Sequence, residues 1–169
     1  RVDSSGTAIT IHNQSQFMGY IGNDSGKLFI NAGGTEDTLS LRTNGTSRIE
    51  ITNSGIDVTG IVKFGTSNIS SGTHTFTASA GSTVNADTTA VGSATAIEYT
   101  IFISNGSNIQ SQKVLIMDNG TTAYSQEFAM MSNPNMIATF SADVNGGNVR
   151  LRATPETGIS GSTTIKFSK

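Results

Sequence analysis

No uninterrupted apolar run in this 169-residue chain is longer than four residues, and the large apolar residues of its first 65 positions arrive mostly as pairs one residue apart. The pairs are Ile9/Ile11, Leu28/Ile30, Leu39/Leu41, Ile49/Ile51 and Ile56/Val58. Turns rich in Asn and Gly separate them at residues 31–34, 44–45 and 53–55, and from the second pair on the spacings are 11, 10 and 7 residues. A membrane-spanning helix needs ~20 apolar residues in a row, so none is encoded. Alternation places both members of a pair on one face of a β-strand. Two apolar residues per strand are too few for a free-standing sheet, since small isolated hairpins are marginal in water. The pairs therefore need partners, supplied by stacking the repeats or by intertwining several chains.

Composition supports the β reading. Ile and Val number 25 against five Leu, and Thr, Ser, Gly and Asn together make 79 residues. Branching at Cβ suits a pleated surface and costs rotamer freedom in a helix, while Gly and Asn supply the positive φ of tight turns. No segment shows sustained 3.6-residue apolar spacing, so almost no helix is expected. Disorder is disfavoured, because Ile, Leu, Val and Phe total 38 residues and the net charge is only −2. That charge also excludes a polycationic nucleic-acid binder. The absence of cysteine excludes disulfide and zinc-thiolate scaffolds. The chain starts at Arg1, and its first residues are too polar for a signal peptide, so a piece of a longer or processed chain is expected.

Three regions follow. Residues 1–65 form the β-repeat. Residues 66–96 are rich in Ser, Thr, Ala and Gly and read as a linker with one short strand at 73–77. Residues 97–169 show six short alternating runs: Tyr99/Ile101/Ile103, Lys113–Met117, Tyr124–Met131, Met136–Val144, Val149–Ala153 and Ile165/Phe167. Asn105-Gly106, Asn119-Gly120 and Gly146-Gly147 punctuate them, and Asn-Gly between such runs is a strong hairpin signal. The run at Lys113–Met117 is apolar in both phases, which predicts a central strand. The expectation is an all-β chain: a repetitive β shaft, then a C-terminal antiparallel β-sandwich of jelly-roll type.

Groups able to move protons or hold metal are sparse. His12 and His74 lie 62 residues apart and read as ordinary strand or loop histidines. No G-x-G fingerprint, P-loop, HExxH or EF-hand pattern occurs. Asp24-Ser25-Gly26 reads as a turn, not a nucleophilic serine. A glycosidase needs two carboxylates at a controlled separation. Glu36 and Asp37 are sequence neighbours that point to opposite faces of a strand, which leaves Glu98 and Glu127 as the pair that could meet across a sheet. No catalytic residue, cofactor or metal is expected. Six N-x-S/T sequons, at Asn13, Asn23, Asn44, Asn68, Asn105 and Asn119, match what so much Asn, Ser and Thr produces by chance. Candidate receptor contacts are Tyr124 with Asn119, since an exposed Tyr beside an Asn-rich turn can stack on a sugar ring, and Arg150 with Arg152 on one strand face. The plainer alternatives are a Tyr packed in its hairpin and a charged edge guarding against strand pairing.

Two stretches carry a family resemblance. Residues 39–55, LSLRTNGTSRIEITNSG, resemble the short β-repeats of bacteriophage tail fibres. Residues 103–110 (ISNGSNIQ), 113–127 (KVLIMDNGTTAYSQE) and 153–161 (ATPETGISG) are similar to a domain of virion structural proteins of marine phages, notably those infecting cyanobacteria. The resemblance implies a homotrimeric fibre or tail appendage on the virion, in contact with other virion proteins and with a host-surface glycan or protein, without membrane insertion. Physically, a trimer would give the pairs a core. Three chains would turn Ile9, Ile11, Leu28, Ile30, Leu39, Leu41, Ile49, Ile51, Ile56 and Val58 toward a shared axis, each buried side chain contributing roughly 1.5–3 kcal/mol. A head fibre, capsid decoration or baseplate component is the alternative within a virion, and a secreted bacterial adhesin module is the alternative outside one.

Overall fold

A computed structural model of the chain describes residues 7–13, 16–24, 27–32, 38–52 and 54–169. The described residues form sixteen strands and no helix. They are β1 (Thr7–Asn13), β2 (Gln16–Asp24), β3 (Lys27–Ala32), β4 (Leu39–Thr43), β5 (Thr46–Thr52), β6 (Gly55–Val58), β7 (Val62–Phe64) and β8 (Ser67–Ile69). Then follow β9 (Ser71–Ala78), β10 (Val84–Ala90), β11 (Ala96–Asn105), β12 (Asn108–Asp118), β13 (Ala123–Asn133), β14 (Ala138–Asn145), β15 (Asn148–Pro155) and β16 (Gly161–Ser168). The all-β expectation holds. Two compact units divide the chain, Arg1–Gly60 and Ile61–Lys169.

The first unit contains two antiparallel meanders, β1-β2-β3 and β4-β5-β6. In the second meander Leu39, Ile51 and Ile56 are aligned across the three strands, and Leu41, Ile49 and Val58 form the next row. Residues aligned across antiparallel strands, and residues two apart along one strand, share a face. All six apolar residues of β4–β6 therefore lie on one side. Asn44 and Gly45 join β4 to β5 with φ of 50° and 75°, the pair of positive values that a type I′ turn requires.

The second unit is a sandwich. Its five-stranded sheet has the order β13-β12-β11-β16-β9 and its three-stranded sheet β10-β15-β14, every pairing antiparallel. Tyr99, Ile101, Ile103, Val114, Ile116 and Ile165 point inward from the first sheet, and Phe140, Val149, Leu151 and Ala153 from the second. Strict alternation of buried and unburied positions along β11 and β15 shows why these sequences are strands: each offers one apolar face to one opposing layer. The ends of the run wrap as a jelly roll does, β9 beside β16 and β10 beside β15, but β11-β12-β13 is a plain meander. A separate hairpin, β7-β8, precedes the sandwich.

Residues 66–96 are not a linker. Their strands β9 and β10 each form one edge of a sheet, registered on β16 and β15. Small residues mislead there because close packing requires them: a Cβ on Gly72 would lie 2.3 Å from the Phe167 ring. The Asn119-Gly120 turn is also wider than a two-residue hairpin, with residues 119–122 between Asp118 and Ala123.

Candidate functional site

The proposed trimer-core residues divide by what is described. Side chains of Ile9, Ile11 and Leu28 lie outside the described residues, although their backbones pair in β1-β2-β3, with Ile9 opposite Ile21 and Ile21 opposite Ile30. Ile30 is exposed. On β4–β6, Leu39 and Ile49 are half-buried, whereas Leu41, Ile51, Ile56 and Val58 are exposed, Ile56 at 69%. The structure brings these six together on one face, and most of that face is open to solvent.

A second apolar surface emerges on the sandwich, on the side of the five-stranded sheet turned away from the core. Phe102 supplies it from β11. Ile109, Leu115 and Met117 supply it from β12, in the phase opposite to buried Val114 and Ile116. Across the β12–β13 register Met117 meets Tyr124, Lys113 meets Phe128 and Ser111 meets Met131. All seven large side chains are exposed, from 38% at Phe128 to 68% at Met131. A recess of about 220 Å³ opens among Phe102, Ile109 and Met131. The charges on this half-face cancel, because Lys113 Nζ lies 2.6 Å from Glu98 Oε1. The remaining strands, β16 and β9, present Thr164, Lys166, Thr73, Thr75 and Thr77 on the same side, and no large apolar residue. The expected central strand β12 is therefore flanked on both edges but, among the described residues, covered on one face only.

The candidate receptor contacts do not form one site. Tyr124 belongs to the apolar half-face just described. Asn119 turns its side chain onto its own loop, where Oδ1 accepts from the Thr121 and Thr122 amides at 3.1 and 2.8 Å. Arg150 and Arg152 alternate with buried Val149, Leu151 and Ala153, so they face outward from the other sheet. Arg150 grips its cross-strand neighbour Asp143 with two hydrogen bonds, Nε to Oδ1 at 2.7 Å and Nη2 to Oδ2 at 2.5 Å. These bonds hold the Asp143 carboxyl below the usual carboxylate range and raise the guanidinium.

Glu98 and Glu127 do not meet across the sheet. Glu98 lies on the outward face, and Glu127 is opposite buried Val114 on the inward one. Strand alternation separates them, as it separates any two positions of opposite phase. Glu127 accepts from the Phe140 amide at 2.8 Å and from Gln112 Nε2. His74 stacks on Phe76 at 5.6 Å, while the side chain of His12, residues Ser25 and Gly26, and the pair Glu36/Asp37 lie outside the described residues. Among the described residues, no group of three or more His, Cys, Asp or Glu is placed to share a metal ion.

Sequence reasoning missed two polar constellations. Gln110 and Gln112 are buried on the core face of β12. Gln110 Oε1 accepts from the Ile137 and Ala138 amides at 2.5 and 3.1 Å, and its Nε2 donates to the Ala138 carbonyl at 2.7 Å. With Glu127 on Phe140, these side chains occupy the open edge of β14, where a further strand would otherwise bond. Two Gln at i and i+2 in phase with Val114 and Ile116 were the available signal. The second constellation joins β10, β11 and Lys169. Tyr99 donates to Asp87 Oδ2 at 2.7 Å, and Lys169 Nζ reaches the same oxygen at 2.5 Å and Thr89 Oγ1 at 2.9 Å. Burial, then the adjacent Asp87, pushes the Tyr99 hydroxyl well above the ordinary tyrosine range. Lys169 borders a groove of about 690 Å³ lined by Thr66, Asn68, Thr89, Ser93 and Glu98. Its charge is already matched by Asp87, and the rest of the lining mixes hydroxyls and amides with the apolar Ile61, Ala94 and Ile97.

No protein-family model matches the chain, and no curated protein matches it. Among solved structures, it is similar to the crystal structure of the Acinetobacter phage vB_ApiP_P1 tailspike protein, at 14% identity and a TM-score of 0.43. That alignment covers 79% of this chain and 25% of the tailspike, so the chain spans about a quarter of that protein's length.

Proposed function

We propose that this protein is a structural part of a virion, a segment of a homotrimeric phage tail fibre or tail appendage. Its β-repeats form the shaft, and its sandwich forms a head that contacts the host surface. The role is mechanical and adhesive, not catalytic, and requires no cofactor. The observation that carries the reading is the single apolar face of β4–β6, whose Leu41, Ile51, Ile56 and Val58 are exposed in one chain. Burying such a face against copies of itself supplies the core that a three-stranded meander lacks and protects its edge strands. Residues 39–55 add the likeness to tail-fibre repeats. A sparsely charged Ser/Thr/Asn surface suits a particle working in salty water, where charge interactions are screened.

Immunoelectron microscopy tests the placement. Antibodies against the full chain are expected to label the tails of the phage particles that carry it. Label confined to the capsid contradicts the tail assignment in favour of a head fibre or decoration. A chain found only on bacterial surfaces contradicts the virion assignment.

A further inference from the structure

We infer that the outward half-face of β11–β12–β13 is a contact between sandwiches of neighbouring copies of this chain, and that Tyr124 belongs to that contact and not to a receptor site. The inference rests on the proposed assembly of several copies and adds to it a surface separate from the β-repeats.

Area is the first argument. Seven large side chains, each showing about half of a surface of roughly 150–250 Å², expose on the order of 700 Å² in one place. Monomeric proteins rarely leave a contiguous apolar patch beyond a few hundred Å², and a stable interface needs about 800 Å² from each partner. Composition is the second. Phe102, Tyr124, Phe128, Met117 and Met131 are of the types that interface centres concentrate. The third is charge. A face docking on its own copy suffers repulsion if it carries net charge, and here Lys113 and Glu98 cancel within one chain. A glycan fits less well, because its hydroxyls would lose water to Leu115, Ile109 and the two Met, and the two charged groups of the face, Lys113 and Glu98, are already paired with each other. The boundary also has a meaning: the face turns polar at β16 and β9, the strands left outside when β11–β13 are covered.

The chain has no cysteine, so one introduced thiol reports one position. Met117→Cys lies in the half-face, and Thr75→Cys lies on the polar half of the same side. Full-length variants are treated with a short bismaleimide and run on a denaturing gel, alongside the native mass of the wild type. The expected result is efficient linking of Met117→Cys into dimers, none for Thr75→Cys, and at least a tenfold loss of linking when Leu115→Glu is added. A retained thermal melt for Leu115→Glu shows that the sandwich still folds. An oligomeric wild type whose Met117→Cys links no better than Thr75→Cys overturns the inference and leaves the shaft assembly standing. Efficient linking in a wild type of twofold mass supports the inference and contradicts the trimer. A single-chain wild type with no linking overturns both.

Discussion

The two units use the same building block and treat it differently. Ile49 and Ile51 on β5, like Ile101 and Ile103 on β11, are isoleucines one residue apart that share one face of a strand. Ile101 and Ile103 are at most 1% exposed, whereas Ile51 is 40% and its cross-strand neighbour Ile56 is 69% exposed. Strand propensity does not separate them. What differs is the opposing layer: β10-β15-β14 covers β11, and among the described residues of the first unit nothing comparable covers β5. The five-stranded sheet contains the same contrast within itself, with Val114 and Ile116 under a second layer and Leu115 and Met117 open on the other side. Periodicity determines which side chains share a face. A covering layer determines whether that face is a core or an interface.

Truncation breaks or sharpens this contrast most strongly. Leu151→Ala removes a fully buried side chain facing the five-stranded sheet and is expected to cost roughly 2–5 kcal/mol. Ile56→Ala is expected to cost less than about 0.5 kcal/mol in the separated chain, as exposed positions do, and to act through assembly instead. Thermal unfolding at two protein concentrations checks both. Equal, concentration-independent losses would contradict the distinction between closed core and open face.

Gln110→Ala comes next. It strips partners from the Ile137 and Ala138 amides and the Ala138 carbonyl at the edge of β14, and leaving buried backbone groups unsatisfied costs roughly 1–3 kcal/mol. Urea unfolding measures it, and a neutral result would mean that water replaces the side chain at that edge.

Tyr99→Phe sharpens the account of the sandwich interior. The folded state resists ionisation of the Tyr99 hydroxyl, while an unfolded tyrosine ionises near pH 10. Ionisation therefore stabilises the unfolded state first as pH rises, and stability falls above about pH 10. In Tyr99→Phe that alkaline fall is expected to flatten, at the cost of the hydrogen bond to Asp87 at neutral pH. Unfolding midpoints from pH 8 to 11 provide the comparison.

The smallest effect belongs to Asp143. Its carboxyl is depressed in the folded state by Arg150, so its contribution is present above the ordinary carboxylate value and is lost as pH falls through the folded one. The pair is solvent-accessible, and Asp143→Asn is expected to cost about 0.2–1 kcal/mol at pH 7 and progressively less as the pH falls below the ordinary carboxylate value.

Much of the sandwich was legible because its strands alternate cleanly. The six runs from Tyr99 to Phe167 became β11–β16, and Gly146-Gly147 and Asn105-Gly106 sit at hairpin turns. The strand expected at 73–77 is the middle of β9, but its place in a sheet, and β10 altogether, were not legible, since most of their core-facing positions are small or polar (Gly72, His74, Ala78 and Ala86), and Gly72 is there because the Phe167 ring leaves no room for a Cβ. The role of Gln110 was hidden for a related reason: a polar residue in a core phase has meaning only once the open edge it serves is visible. The outward half-face was partly legible. Lys113–Met117 is apolar in both phases, which predicts cover on both sides, and among the described residues of one chain only one side receives it.

The central claim is that the open apolar faces close on other copies of the same chain. Native mass measurement of the full chain over a dilution series tests it most directly, with an Ile51→Asp/Ile56→Asp variant beside the wild type. The account predicts a wild-type particle of three times the 17.6 kDa chain mass that persists on dilution, and a variant that dissociates to smaller species at concentrations where the wild type does not. A wild type that stays at one chain mass at every concentration would contradict it.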